Sequence, residues 1–346
     1  MQRDNSYKHI ILSLSLLAIA FFNVSSQAWD SFWIANTEWR ISGIFTVLSS
    51  WGIPVFIASI GLFFLSDESQ ISTRYNLLKR VPRAILGCAI WWIVSSLVYL
   101  KYYHPNETDS DTFFECMSNV LETPFNIKLL QLVVLFFAFY PLLKRIAANE
   151  KMTKYAVIIF FAFSCVLPAI HFVPYLNYVN LFADQINWGF FTPFGLYLFM
   201  GLYLTKKEYE WHQRVVIYCV GVLSTVAMFA CTVFLSAENI GYDTRFVVES
   251  SPFVALQSSA IIVLCKSIIS KTKGLKRDAV FQNVAYAAYV FIPLFSITQN
   301  LMGYIVSFEK APILLLIPAE ALLCFACSIC LSILIRKVPI ISYFSI

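Results

Sequence analysis

Charge is scarce in this chain. Of 346 residues only 13% are Asp, Glu, Lys or Arg, 59% are hydrophobic, and mean hydropathy is +0.71. A soluble domain is about a quarter charged, so a water-soluble globular protein is excluded. Histidine is sparse as well: there are four, and none sits in the middle of an apolar run. The chain has no Gly-rich phosphate loop, no zinc-ligand spacing and no Gly-x-Ser-x-Gly elbow. It lacks the alternating segments of about ten residues that build outer-membrane barrels. No repeat, low-complexity tract or long soluble insertion interrupts it, so residues 1–346 read as a single membrane domain. Cysteine is present nine times, but eight lie in apolar runs and only Cys116 lies in a polar loop. One external thiol has no external partner, which argues against a disulfide framework.

What is present is apolar sequence in long blocks. Ten segments stand out, at about 9–28, 41–65, 82–101, 129–143, 155–170, 189–204, 215–236, 252–269, 280–297 and 312–335. Each approaches or exceeds the ~17 residues that a helix needs to cross a bilayer. The first reads as a spanning helix and not as a removable signal sequence, because no small-x-small cleavage site follows it. With the N-terminus placed inside, 20 of the 25 basic residues fall in inner loops; the exceptions are Arg40, Lys101, Lys128, Arg245 and Lys310. Acidic residues such as Asp30, Glu38, Glu107, Asp243 and Glu309 fall outside. By the positive-inside rule both termini are cytoplasmic. The expected fold is an all-α integral membrane protein, a bundle of about ten transmembrane helices. The net charge of +5 is then a signature of topology and does not argue for nucleic acid.

Four features could carry chemistry. Arg80 and Arg83, in RYNLLKRVPR, are three apart and share a face if helical. Two guanidiniums at a membrane surface can grip phosphate bidentately, or anchor the helix on lipid headgroups. Glu320, in LLLIPAEALLCF, is ionisable inside a span, which costs roughly 2.5–3.5 kcal/mol on insertion scales. It should face the interior, as a proton or substrate site or as a structural hydrogen bond. Cys324, Cys327 and Cys330 imitate part of an iron–sulfur run but lack the fourth Cys and the Pro, and they read as small buried hydrophobes. His104 and His171 could serve as bases in outer loops, where a solvated histidine is the simpler reading. At the end of the first span, FFNVSSQ sets Asn23, Ser25, Ser26 and Gln27 in an uncharged polar cluster. These side chains should either line an outward cavity or bond between helices.

The order of several pieces resembles the membrane acyltransferase-3 family, the ten-helix bacterial O-acyltransferases that modify surface glycans. WIAN (Trp33–Asn36) precedes SSWGIPVFIASIGLFFLS (Ser49–Ser66), and KRVPRAILGCAIWW (Lys79–Trp92) follows. FFAFYPLL (Phe136–Leu143), FGLYLFMGLYLTKK (Phe194–Lys207), SPFVALQSSAIIVL (Ser251–Leu264), AYAAYVFIPL (Ala285–Leu294) and LIRKVPII (Leu334–Ile341) complete the series. The resemblance implies an acyl-CoA donor, commonly acetyl-CoA, docked on the basic inner face with Arg80 and Arg83 matching an RxxR-type pair. No metal is implied. The acceptor would be a glycan or lipid-linked saccharide, the partners membrane lipid and polysaccharide-synthesis proteins, and the location the bacterial inner (plasma) membrane.

The departures from the family pattern bear on catalysis. The family reads His-Val-Ser near the first span, and this chain has Asn23 at the histidine. A His-Leu-Trp-like run is replaced by Asn126-Ile127-Lys128, and a Tyr-x-x-His-Pro by Tyr289-Val290-Phe291-Ile292-Pro293. An amide does not take a proton near pH 7 as imidazole does. Two functions follow: an acyltransferase, transferring groups other than aminoacyl, with Glu320, His104 or His171 as a replacement base, or a catalytically inactive relative acting in polysaccharide export, flipping or scaffolding. A generic solute transporter is disfavoured by the lack of an inverted repeat and by the lack of mid-membrane charge beyond Glu320.

Overall fold

The computed structural model describes residues 6–34, 36–66, 72, 75–103, 110–122, 126–170, 193–238, 243–269 and 312–337. Within these every regular element is helical. The helices are α1 (Ser6–Ser31), α2 (Thr37–Ser49), α3 (Gly52–Phe64), α4 (Val81–Tyr103), α5 (Ser110–Glu122), α6 (Asn126–Ala148), α7 (Glu150–Phe161), α8 (Pro193–Lys206), α9 (Trp211–Glu238), α10 (Pro252–Ile269) and α11 (Ile313–Arg336). Seven stretches are long and apolar enough to cross a membrane: Tyr7–Ser31, Thr37–Phe64, Asn76–Lys101, Gln131–Ala148, Glu150–Ala169, Trp211–Ala237 and Ile313–Leu334. The protein is therefore multi-pass. Of the other three expected segments, 252–269 forms the shorter apolar helix Pro252–Ile268. The segment 189–204 yields α8, of 14 residues, and 280–297 lies outside the described residues.

Helix ends follow local chemistry. Asn36 caps α2 through its side chain, accepting from the Thr37 amide at 2.7 Å, and Asn149 caps α7 on Lys151 and Met152 at 3.0 and 3.3 Å. Two π-turns, Asn76–Arg80 and Ala162–Val166, run directly into α4 and Leu167–Ile170. Each ends two residues before a proline. The Val81 amide reaches back to the Asn76 carbonyl, and Leu167 to Ala162. Pro82 and Pro168 come next and can neither donate nor fit against a normal preceding turn, so the helix widens by one residue.

The chain divides into two compact units. One comprises Met1–Ser69, Arg145–Gln282 and Phe308–Leu322; the other comprises Gln70–Lys144, Asn283–Ser307 and Leu323–Ile346. In the first, α1 packs on α2 and α3, α3 on α8, α8 on α7 and α10, and α10 on α9. Small residues allow this. A Cβ on Gly52 would lie 2.8 Å from the Ile19 amide nitrogen, and one on Gly201 would lie 2.8 Å from the Ala58 carbonyl oxygen. Helices in lipid gain from such close approach because apolar burial gives little drive there. At one end Trp29, Trp39, Val47, Met228, Val247 and Val254 form a core, with the two indoles 5.5 Å apart.

The span Thr37–Phe64 is broken at Ser50–Trp51, and a buried Gln257 repairs the break. Its amide donates to the Val47 carbonyl at 3.0 Å and to the Thr225 hydroxyl at 3.1 Å, and its oxygen accepts from Ser50 at 2.8 Å. Backbone groups freed at a helix break in lipid need such partners. In the second unit α4 packs on α5, with the Trp92 indole donating to the Met117 carbonyl at 3.0 Å.

Candidate functional site

The arginine pair sits where α4 begins. Arg80 closes the π-turn and Arg83 lies in the first turn of α4, both half-buried. The same stripe carries Asn76, Ala84 and Gly87, all buried. Across from it α6 presents Phe136, Phe137 and Tyr140, exposed by 2% or less. The Arg80 guanidinium lies over the Phe137 ring, 5.6 Å from its centroid, a cation–π arrangement. Tyr75, Tyr140 and Arg83 are within its electrostatic reach.

A proline explains the geometry. Pro141 lies inside α6 and has no amide to give to the carbonyl four residues back, which is that of Phe137. The Asn76 side chain supplies the missing donor at 2.6 Å. This bond joins the π-turn to α6 at the residue whose ring carries Arg80. Asn76 is fully buried, and its Oδ1 has no hydrogen-bond partner among the described residues; the buried Tyr140 hydroxyl likewise has none. The cluster thus holds two guanidiniums and one hydroxyl that can donate to an anionic ligand; Asn76 Oδ1, an acceptor, is not a contact for an anion.

The polar side chains ending α1 differ in burial. Ser25 is buried; its hydroxyl donates to the Phe21 carbonyl at 2.7 Å and accepts from Thr46 at 3.0 Å, tying α1 to α2. Ser26 donates to the Asn23 carbonyl at 3.1 Å. Asn23 is half-buried and Gln27 exposed. The interhelical reading therefore holds for Ser25. Glu320 is buried at 4% exposure, and its Oε2 has no hydrogen-bond partner among the described residues. No hydrogen bond joins it to Asn23. Both belong to the first unit, whereas Arg80 and Arg83 belong to the second.

The remaining candidates separate. Cys324 is buried, Cys327 half-buried and Cys330 exposed, so the reading as small buried hydrophobes holds for Cys324 and fails for Cys330, because residues three apart step around the helix. No group of three metal-ligating side chains occurs among the described residues. His9 stacks at a tilt on Phe63 at 5.1 Å, and His212 lies exposed 3.2 Å from Glu210. His104 and His171 lie outside the described residues.

An acyltransferase domain, the acyltransferase-3 type, matches residues 10–337. The chain belongs to the acyltransferase-3 family. No curated protein and no solved structure matches it. Family membership covers nearly every residue described above, so the arginine cluster, Asn23 and Glu320 all lie inside the acyltransferase-3 domain. Sequence reading singled out the two arginines and passed over Asn76 and Tyr140. The available signal was an asparagine four residues before Arg80 and a proline inside an apolar run.

Proposed function

We propose that this acyltransferase-3 protein transfers an acyl group, acetyl in the first instance, from acyl-CoA to a hydroxyl of a surface or lipid-linked glycan, at the inner membrane of a bacterium. The observation that carries this reading is the arginine pair, with Arg80 held over Phe137, in a chain that belongs to the family. Arg80 and Arg83 are the phosphate-binding groups for the donor, and the inner-loop bias of basic charge supports a cytoplasmic donor. In the transfer, the acceptor oxygen forms a C–O bond with the thioester carbonyl, the C–S bond breaks, and CoA leaves as the thiol after the acceptor proton is handed on. Glu320, buried and with its Oε2 without a partner among the described residues, is the proposed base. Asn23 stands where the family has histidine and as an amide does not take that proton. Membrane lipid and polysaccharide-synthesis proteins are the proposed partners.

Asn23 also favours a second reading, a non-catalytic relative acting in glycan export, flipping or assembly. Mass spectrometry of glycan O-acyl groups separates the two, in a deletion strain complemented with wild type, Arg83→Ala or Asn23→His. Acylation restored by wild type and lost in Arg83→Ala is the expected result. Glycan yield that depends on the gene, with no change in acylation, would select the second reading.

A further inference from the structure

Two buried polar groups beside the arginines are left over by the fold. Tyr140 is 2% exposed and Asn76 fully buried, and neither the Tyr140 hydroxyl nor Asn76 Oδ1 has a partner among the described residues. Buried polar atoms are rarely left unmatched, and an unmatched one in a native site calls for a reason. Both stand next to cationic side chains, Tyr140 within electrostatic reach of Arg80 and Asn76 one turn before it. An anion arriving at Arg80 comes within the same electrostatic reach of the hydroxyl. The Asn76 amide is already committed to the Phe137 carbonyl at 2.6 Å, which sets the level of Arg80 against α6.

We propose that Tyr140 and Asn76 complete the arginine site for a phosphate-bearing ligand. The Tyr140 hydroxyl, itself uncharged, donates a charge-assisted hydrogen bond to a phosphate oxygen. Asn76 is a positioning residue: its bond to the carbonyl freed by Pro141 fixes where Arg80 points. The inference rests on the donor-binding reading above, and the phosphate has two possible sources, CoA or an anionic phospholipid.

The test uses the full chain in nanodiscs of zwitterionic lipid and titrates acetyl-CoA, with a melting curve taken for every variant. Arg80→Gln should abolish saturable binding. Tyr140→Phe should keep the wild-type melting temperature and weaken binding about tenfold, the size of one charge-assisted hydrogen bond. Asn76→Leu strands the Phe137 carbonyl and should lower both stability and affinity. Adding Pro141→Ala to Asn76→Leu returns an amide to that carbonyl. A structural role alone would then recover both properties, whereas a positioning role recovers the melting temperature and leaves binding weak. Wild-type affinity in Tyr140→Phe and in the double variant, with binding lost in Arg80→Gln, would overturn this inference and leave the donor site standing. Wild-type affinity in Arg80→Gln would overturn the donor site itself. A second arm replaces acetyl-CoA with phosphatidylglycerol doped into the discs. Tyr140-dependent retention of that lipid, with no binding of acetyl-CoA, would uphold the site and assign its phosphate to lipid.

Discussion

Replacing Gln257 by methionine tests whether the broken second span depends on one side chain. Gln257 is 5% exposed and makes three hydrogen bonds, to the Val47 carbonyl, Thr225 and Ser50. Methionine conserves volume, so no cavity term enters. Interhelical hydrogen bonds in membranes average about 0.6 kcal/mol each, so three give about 2 kcal/mol, or a change of about 30-fold in the unfolding equilibrium. Ser50 keeps one route to the Val47 carbonyl, at 3.0 Å, which caps the loss near that figure. The assay is reversible unfolding in mixed micelles followed by tryptophan fluorescence, since Trp51 lies in the break and Trp29 and Trp39 lie in the core cluster with Val47. A Gln257→Met variant within about 0.3 kcal/mol of wild type would refute the claim that Gln257 holds the break, because it would lie below even one average bond.

Other predictions concern packing and pH. Gly201→Val places a branched side chain against Ala58, whose oxygen and Cβ would lie 2.8 and 2.9 Å from the new Cβ; overpacking of this kind should cost about 1–3 kcal/mol, read in the same unfolding assay. Outside the spans, Arg245 hydrogen-bonds Asp243 and holds its carboxyl below the usual range. The unfolded chain therefore takes the proton first, so the stabilisation is complete above the ordinary carboxylate pKa and is lost as pH falls through the lower folded value. The melting-temperature gap between wild type and Asp243→Asn should be flat above about pH 5 and should close below about pH 4; a gap unchanged at low pH would contradict the ion pair's role.

The parts legible in the sequence are those set by long apolar runs. Seven of the expected segments are long apolar helices because a bilayer demands about twenty such residues and little else. The break inside Ser49–Ser66 was half legible. Gly52 and Pro54, in the first turn of α3, announce a new helix start, but the partner that tolerates the break, Gln257, lies 207 positions from Ser50. The π-turns were half legible. Pro82 and Pro168 announce a disturbance, but nothing local says that it is absorbed by widening the helix. At the α1 end, composition alone made Asn23, Ser25, Ser26 and Gln27 look like one group. Helical rotation of about 100° per residue separates them, and a partner on α2 claims Ser25. Asn76 shows the same limit from the other side: its role depends on Pro141, a residue of another helix.

The central claim is that Arg80 and Arg83 bring acyl-CoA to a working acyltransferase. The most direct measurement is transfer of a radiolabelled acetyl group from acetyl-CoA into membrane glycan by the purified chain in nanodiscs, with wild type and Arg80→Gln compared at equal melting temperature. The account predicts gene-dependent label in the glycan with wild type and loss of nearly all of it in Arg80→Gln. Label that enters equally with both proteins would contradict the arginine site, and no label with either would contradict catalysis.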